Sequence, residues 1–221
     1  MTKEVWIFGD SFAHEFPQCK YSWPTLLKQD YTVQNFALGG SGPDYQISLL
    51  LNKIKECDTT NIDLIFFVSD TSRFNFSFLK TPLDQYLIKH IGADTNIAIY
   101  KKHKKFIRAF FQNYIFHSTY TDTEIIKIIL FLRELGNKFN NVLIIPIFDD
   151  LNECLIEVNS TKNVYIVKDK FQDVESDRFV DSTNHLSKEV HQHVYKKLVD
   201  WLSTNEKIIF KKSLDKINNI V

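Results

Sequence analysis

Val5-Trp6-Ile7-Phe8-Gly9-Asp10-Ser11-Phe12 decides the reading of this chain. Four apolar residues in a row are too few for a membrane span or a secretory leader, and they suit a short strand buried on both faces. Gly9 ends the run, and Asp10-Ser11 follow where a tight turn would lift the chain off the carboxyl end of that strand. Similar runs recur at 32–37, stopping before Gly39-Gly40, and at 64–68, 142–147 and 163–167. Helical spacing lies between them. Tyr45, Leu49, Leu50 and Ile54 form one stripe, and Ile125, Ile128, Ile129 and Leu132 another, stopped by Leu135-Gly136. Residues 187–202 read as a helix with Ser187 as N-cap and Val190, Val194, Leu198 and Trp201 on one side. This βαβα order predicts an α/β fold: a sandwich around a five-stranded parallel sheet, with ligands bound outside the carboxyl ends of the strands.

Composition bounds the function. The chain has 221 residues, 44% hydrophobic and 24% charged, proportions ordinary for a folded domain. With 27 basic and 27 acidic side chains the net charge is zero, which argues against a strongly electrostatic nucleic-acid or membrane binder. Nineteen Phe and nine Tyr supply a large core and leave aromatics for a pocket. Cys19, Cys57 and Cys154 are odd in number and widely spaced, so neither a disulfide framework nor a structural zinc site is expected. Met1-Thr2-Lys3-Glu4 does not open a secretory signal, and the glycosylation patterns Asn75-Phe76-Ser77 and Asn159-Ser160-Thr161 are read as chance. The expected compartment is cytoplasmic, with association with a virus particle as the alternative.

A single domain over residues 1–221 is the simplest organisation, with two additions. Residues 74–120 are too long for a plain crossover. They hold Ile99, Phe106, Ile107, Phe110, Phe111 and Tyr114 at helical spacing, beside the basic run Lys101-Lys102-His103-Lys104-Lys105. This aromatic-rich insertion is either a helical pair packed on the sheet or a wall over the ligand crevice, and its basic run reads as a solvated face. Residues 205–221 read as a helical tail.

Two short segments carry chemistry. Ser11 sits on the first turn at the carboxyl edge, where a hydroxyl can face the crevice and backbone N–H groups can receive an oxyanion. Asp181-Ser182-Thr183-Asn184-His185 lies just ahead of the last long helix. A serine nucleophile needs a base, and the base needs an orienting carboxylate, so His185 and Asp181 complete a set. Asp149-Asp150 follows the fourth strand and reads as an N-cap. His191 and His193, two apart on a helix, point in different directions and do not form a ligand pair. No GxGxxG or Walker pattern is present, so no nucleotide cofactor is expected.

Taken in order along the chain, these segments resemble the SGNH (GDSL) hydrolase superfamily. Gly9-Asp10-Ser11 is similar to its first motif, Asn35-Phe36-Ala37-Leu38-Gly39-Gly40 to its second, and Asp181 to His185 to its last. The resemblance implies a flavodoxin-like three-layer α/β/α sandwich. It implies Ser11 as nucleophile, His185 as base, Asp181 as orienting carboxylate, and the Ser11 and Gly40 N–H groups as oxyanion donors. It also implies a serine esterase acting on a short acyl ester, such as an acetyl group on a carbohydrate or other small molecule, with no metal or organic cofactor.

The chain departs from that pattern twice. Asp70, in Val68-Ser69-Asp70-Thr71-Ser72-Arg73, stands where the superfamily has an Asn that donates to the oxyanion. An ionised Asp accepts and cannot donate, so the third donor falls to Ser69, Thr71, Ser72 or Arg73. The superfamily also spaces its Asp three residues before the His. Here Ser182 holds that place and Asp181 is one further back, with Asp177 and Asp173 as alternatives. Two other function classes fit the same features: a non-catalytic binding module on this fold, and a structural or viral assembly protein using the Phe-rich insertion as an interface.

Overall fold

The computed structural model describes residues 3–15, 19–39, 41–69, 118–147, 163–167 and 186–205. Five strands are present: β1 (Glu4–Phe8), β2 (Thr32–Asn35), β3 (Ile62–Val68), β4 (Asn141–Pro146) and β5 (Val164–Ile166). They form one sheet in the order β2-β1-β3-β4-β5, with every pairing parallel. The helices are α1 (Trp23–Leu27), α2 (Pro43–Ile54), α3 (Ser118–Leu135) and α4 (Lys188–Thr204).

The apolar runs are continuous because side chains alternate between two covered faces. Val5 and Ile7 of β1, Ile65 and Phe67 of β3, and Leu143 and Ile145 of β4 bury against Trp23 and Leu27 of α1 and Val190, Val194, Leu198 and Trp201 of α4. Trp6 and Phe8, Leu64 and Phe66, and Val142 and Ile144 bury on the other face against Leu50 of α2 and Ile128, Ile129 and Leu132 of α3. This is the expected three-layer α/β/α sandwich with a central five-stranded parallel sheet. The aromatics of β1 go into it: Phe8 stacks on Phe36 with ring centroids 4.9 Å apart, and Trp6 meets Phe36 edge-on at 5.4 Å. At fully covered positions of this size, each ring contributes roughly 2–3 kcal/mol.

Ser187 caps α4 as expected, its Oγ accepting from the Val190 N–H at 3.3 Å. Gly136 ends α3 for a packing reason as well: a Cβ there would lie 2.5 Å from Cγ2 of Val164 on β5.

Several boundaries and faces differ from the sequence reading, β3 among them, which begins at Ile62 rather than residue 64. β2 stops at Asn35 rather than residue 37, because the Asn35 side chain turns back to accept from the Ala37 N–H at 2.9 Å and ends the ladder. The inward positions of α2 are Pro43, Gln46 and Leu50, so Gln46, rather than Tyr45, is fully buried. The third helix begins at Ser118, inside the span assigned to the insertion. The five-residue α1 was not anticipated; it opens on Trp23-Pro24, with proline in the first turn where its missing N–H costs nothing.

Candidate active site

Parallel strands bring the loops after β1, β2 and β3 to one end of the sheet, and residues 9–15, 36–39, Ser41 and Ser69 meet there. Gly9 leaves β1 with φ +153°, and a Cβ on it would lie 2.6 Å from the Cβ of Phe67. Only glycine permits both that backbone and that approach. Asp10 is fully buried, and its Oδ1 accepts from the Phe12 N–H at 3.1 Å, while its carbonyl accepts from the Ala13 N–H at 3.1 Å. These two bonds close a turn with Ser11 at its tip. Ser11 is half-buried, and among the described residues nothing hydrogen-bonds to its hydroxyl or its N–H. Gly39 lies beside it: a Cβ built there would be 3.9 Å from the Ser11 Cβ.

Side chains that the sequence did not single out hold this turn. Gln46 Oε1 accepts from the Gly9 N–H at 3.3 Å, and Gln46 Nε2 donates to Ser41 Oγ at 2.7 Å. Ser41 Oγ donates to the Gly9 carbonyl at 3.1 Å, so both backbone groups of Gly9 are gripped by one closed ring of three residues. The Leu38 N–H adds a second donor to that carbonyl at 3.0 Å. Ser69 Oγ donates to the Ser41 carbonyl at 3.0 Å, joining the end of β3 to the same ring. Gln46, Ser41 and Ser69 are all buried, so each bond is shielded and an orphaned partner would be costly. A Gln four residues before Leu50, on the helix stripe that Leu50 buries, was the available signal.

The second loop is tied to the first from the other side. Asn35 Nδ2 donates to the Ala13 carbonyl at 2.9 Å, and His14 Nδ1 bonds the Ala37 carbonyl at 2.9 Å. The exit of the turn is held by Trp23, whose indole Nε1 donates to the Phe12 carbonyl at 2.9 Å.

Of the expected site residues, Ser11 is described, and it lies against the Gly39 end of the second motif. Gly40, Asp70, Asp181 and His185 lie outside the described residues, as do Asp173, Asp177, Asp149, Asp150, Thr71, Ser72, Arg73 and the basic run of the insertion. Leu186, next to His185 in sequence, is buried in the same cluster as Phe12 and Ala13. Ser69, a candidate third donor, has its hydroxyl donating to the Ser41 carbonyl. Among the described residues no group of three His, Cys, Asp or Glu side chains could hold a metal ion, and no helix is long and apolar enough to cross a membrane.

The architecture has solved counterparts. A member of the lipolytic G-D-S-L family from Veillonella parvula superposes with a TM-score of 0.51 at 14% identity, covering 91% of this chain and 98% of that one. This chain shares the fold of that protein. An acetyl xylan esterase from Geobacillus stearothermophilus shares it, with a TM-score of 0.50 at 9% identity, covering 94% of this chain and 96% of the esterase. No family model and no curated protein matches the sequence. In this shared fold Gly9-Asp10-Ser11 is the turn after β1, and the ring of Gln46, Ser41 and Gly9 fixes it.

Proposed function

We propose that the protein is a serine ester hydrolase that removes a short acyl group, an O-acetyl group on a carbohydrate being the substrate class favoured. The observation that carries this reading is Ser11 itself: a hydroxyl and N–H that no described residue engages, at the tip of a turn whose backbone is held by buried bonds on both sides. A nucleophile held this way needs little reorganisation on attack. The acetyl xylan esterase among the solved counterparts supports the choice of acyl group.

In this mechanism Ser11 Oγ attacks the ester carbonyl. His185 takes the serine proton and later returns it to the leaving alcohol, and Asp181 holds the imidazole tautomer. The N–H groups of Ser11 and Gly40 receive the oxyanion. Water then releases the acyl group by the same steps in reverse.

A fluorophosphonate probe tests the reading directly. It should label wild type at Ser11 alone, and Ser11→Ala should lose both labelling and hydrolysis of p-nitrophenyl acetate while melting at nearly the same temperature. The kcat/KM profile should rise through a pKa of about 6–7 and lose that rise in His185→Ala. Retained hydrolysis in Ser11→Ala would refute the mechanism. An absence of labelling in folded wild type would favour the binding-module reading, for which Asp70 in place of an oxyanion-donating Asn is the supporting feature.

A further inference from the structure

We infer that His191, on the sheet-covering helix α4, is a positioning residue for Ser11, acting through Trp23. The inference deepens the esterase reading and rests on it for the role of Ser11.

The first turn of any helix has N–H groups with no partner inside the helix. At α1 the preceding Ser22 does not cap them, because its Oγ is engaged with Thr25 Oγ1 at 2.6 Å. The Trp23 N–H instead donates to Nδ1 of His191 at 3.2 Å, across 168 positions of sequence. With Nδ1 accepting, the neutral ring carries its hydrogen on Nε2, which lies 4.0 Å from Cys19 Sγ. The Tyr21 ring packs against the imidazole edge-on at 5.7 Å. His191 is only 3% exposed, so water does not replace it as the acceptor.

From Trp23 the constraint passes to the nucleophile. The Trp23 indole is fully buried, stacked on Phe67 at 5.3 Å, and donates to the carbonyl of Phe12, the residue after Ser11. A backbone bond therefore fixes where Trp23 begins its helix, and a side-chain bond from the same residue fixes the exit of the serine turn. Leu186, two residues ahead of α4, is buried with Phe12 and Ala13, so the helix that registers the nucleophile turn begins three positions after His185 in sequence.

The proposal predicts a geometric rescue. In His191→Leu the Trp23 N–H loses its acceptor, the indole loses register, and fluorophosphonate labelling of Ser11 should slow about tenfold or more. His191→Asn puts Oδ1 where Nδ1 was and should keep labelling within about threefold of wild type. His191→Gln, whose Oε1 reaches the Nε2 position instead, should not rescue. Trp23→Phe removes the indole donor and should slow labelling as His191→Leu does, and the double variant should be no slower than either single one. Amide hydrogen exchange at Phe12 and Ala13 reads the same brace without chemistry: it should quicken in His191→Leu and Trp23→Phe and stay slow in His191→Asn. If wild type does not react with the probe, the esterase reading fails and exchange alone decides the brace. Equal behaviour of the Leu and Asn variants in both readouts would overturn the inference. So would wild-type exchange and labelling in Trp23→Phe, which also decides the matter if His191→Leu does not fold.

Discussion

Polar side chains are buried at both ends of the sheet, and they grip different things. At the amino end the fully buried Asp63 of β3 meets Lys3 Nζ at 2.9 Å and accepts from Nδ2 of Asn140 and of Asn141 at 2.8 and 2.9 Å. Lys3 continues to the Leu202 carbonyl of α4 at 2.7 Å. At the carboxyl end Gln46, Ser41, Ser69 and Trp23 bond chiefly to the main chain of residues 9, 12 and 41. The first set joins side chains at element ends and cancels a charge, which fastens elements together. The second set reaches out from α1, α2 and the end of β3 and holds loop backbone in one conformation. Burial of polar atoms is common to both, but the bonds at the amino end fall mostly between side chains and those at the carboxyl end mostly on loop backbone.

Three experiments press on that contrast. The largest effect is expected from Asp63→Ala, which strands Lys3 and two amides. Urea denaturation should show a loss of about 3–4 kcal/mol, mostly from leaving the Asn140 and Asn141 amides without their acceptor. The folded fraction should label at Ser11 as fast as wild type. A slowed label would mean that the two ends are not separable.

The second is acid, and it strikes the carboxyl end through His191. Burial lowers its imidazole from 6.5 to about 4. Below about pH 4 both folded and unfolded chains carry this proton. Between about 4 and 6.5 only the unfolded chain does, so stability falls as pH drops through that window and is indifferent to this group above it. The full loss is about 3 kcal/mol. Cys19 and Tyr21 pack on the ring from the segment before α1. Carboxylates titrate over the same range, so the measurement is the difference between wild type and His191→Asn, which lacks the titrating group. Parallel curves from pH 7 to 4 would show that the ring protonates freely when folded.

The third and smallest in stability is Gln46→Leu. It orphans the Gly9 N–H at a cost of about 2 kcal/mol, yet it should slow labelling of Ser11 about tenfold. Asp63→Ala and Gln46→Leu should thus reverse order between denaturation and labelling. The same order in both assays would erase the distinction between the two ends.

Much of the fold was legible because strands covered on both faces announce themselves as unbroken apolar runs, and because α4 combines a serine cap with a long apolar stripe. α1 was not legible: five residues do not complete two turns, so no periodicity can register. Tyr45 outranked Gln46 on hydrophobicity, and the burial of Gln46 follows from a bond to a residue 37 positions earlier. The serine turn could be read from Gly9-Asp10-Ser11 at a strand's end. The ring that holds it could not, since local sequence does not encode which distant side chain will meet an unpaired N–H. The same holds for His191, which looks in sequence like half of a His-x-His pair and in three dimensions caps another helix.

The link between Trp23 and His191 also sets a clock. At roughly 5–20 residues per second, a ribosome that has added Trp23 needs about 8–34 s to reach His191. Throughout that interval the nascent chain carries its serine turn without the brace, and the sheet face lined by Ile7, Ile65, Phe67 and Ile145 has no α4 over it. Ser11 is synthesised well ahead of His191, so a chain whose translation stalls before His191 bears Ser11 without the acceptor that completes its support.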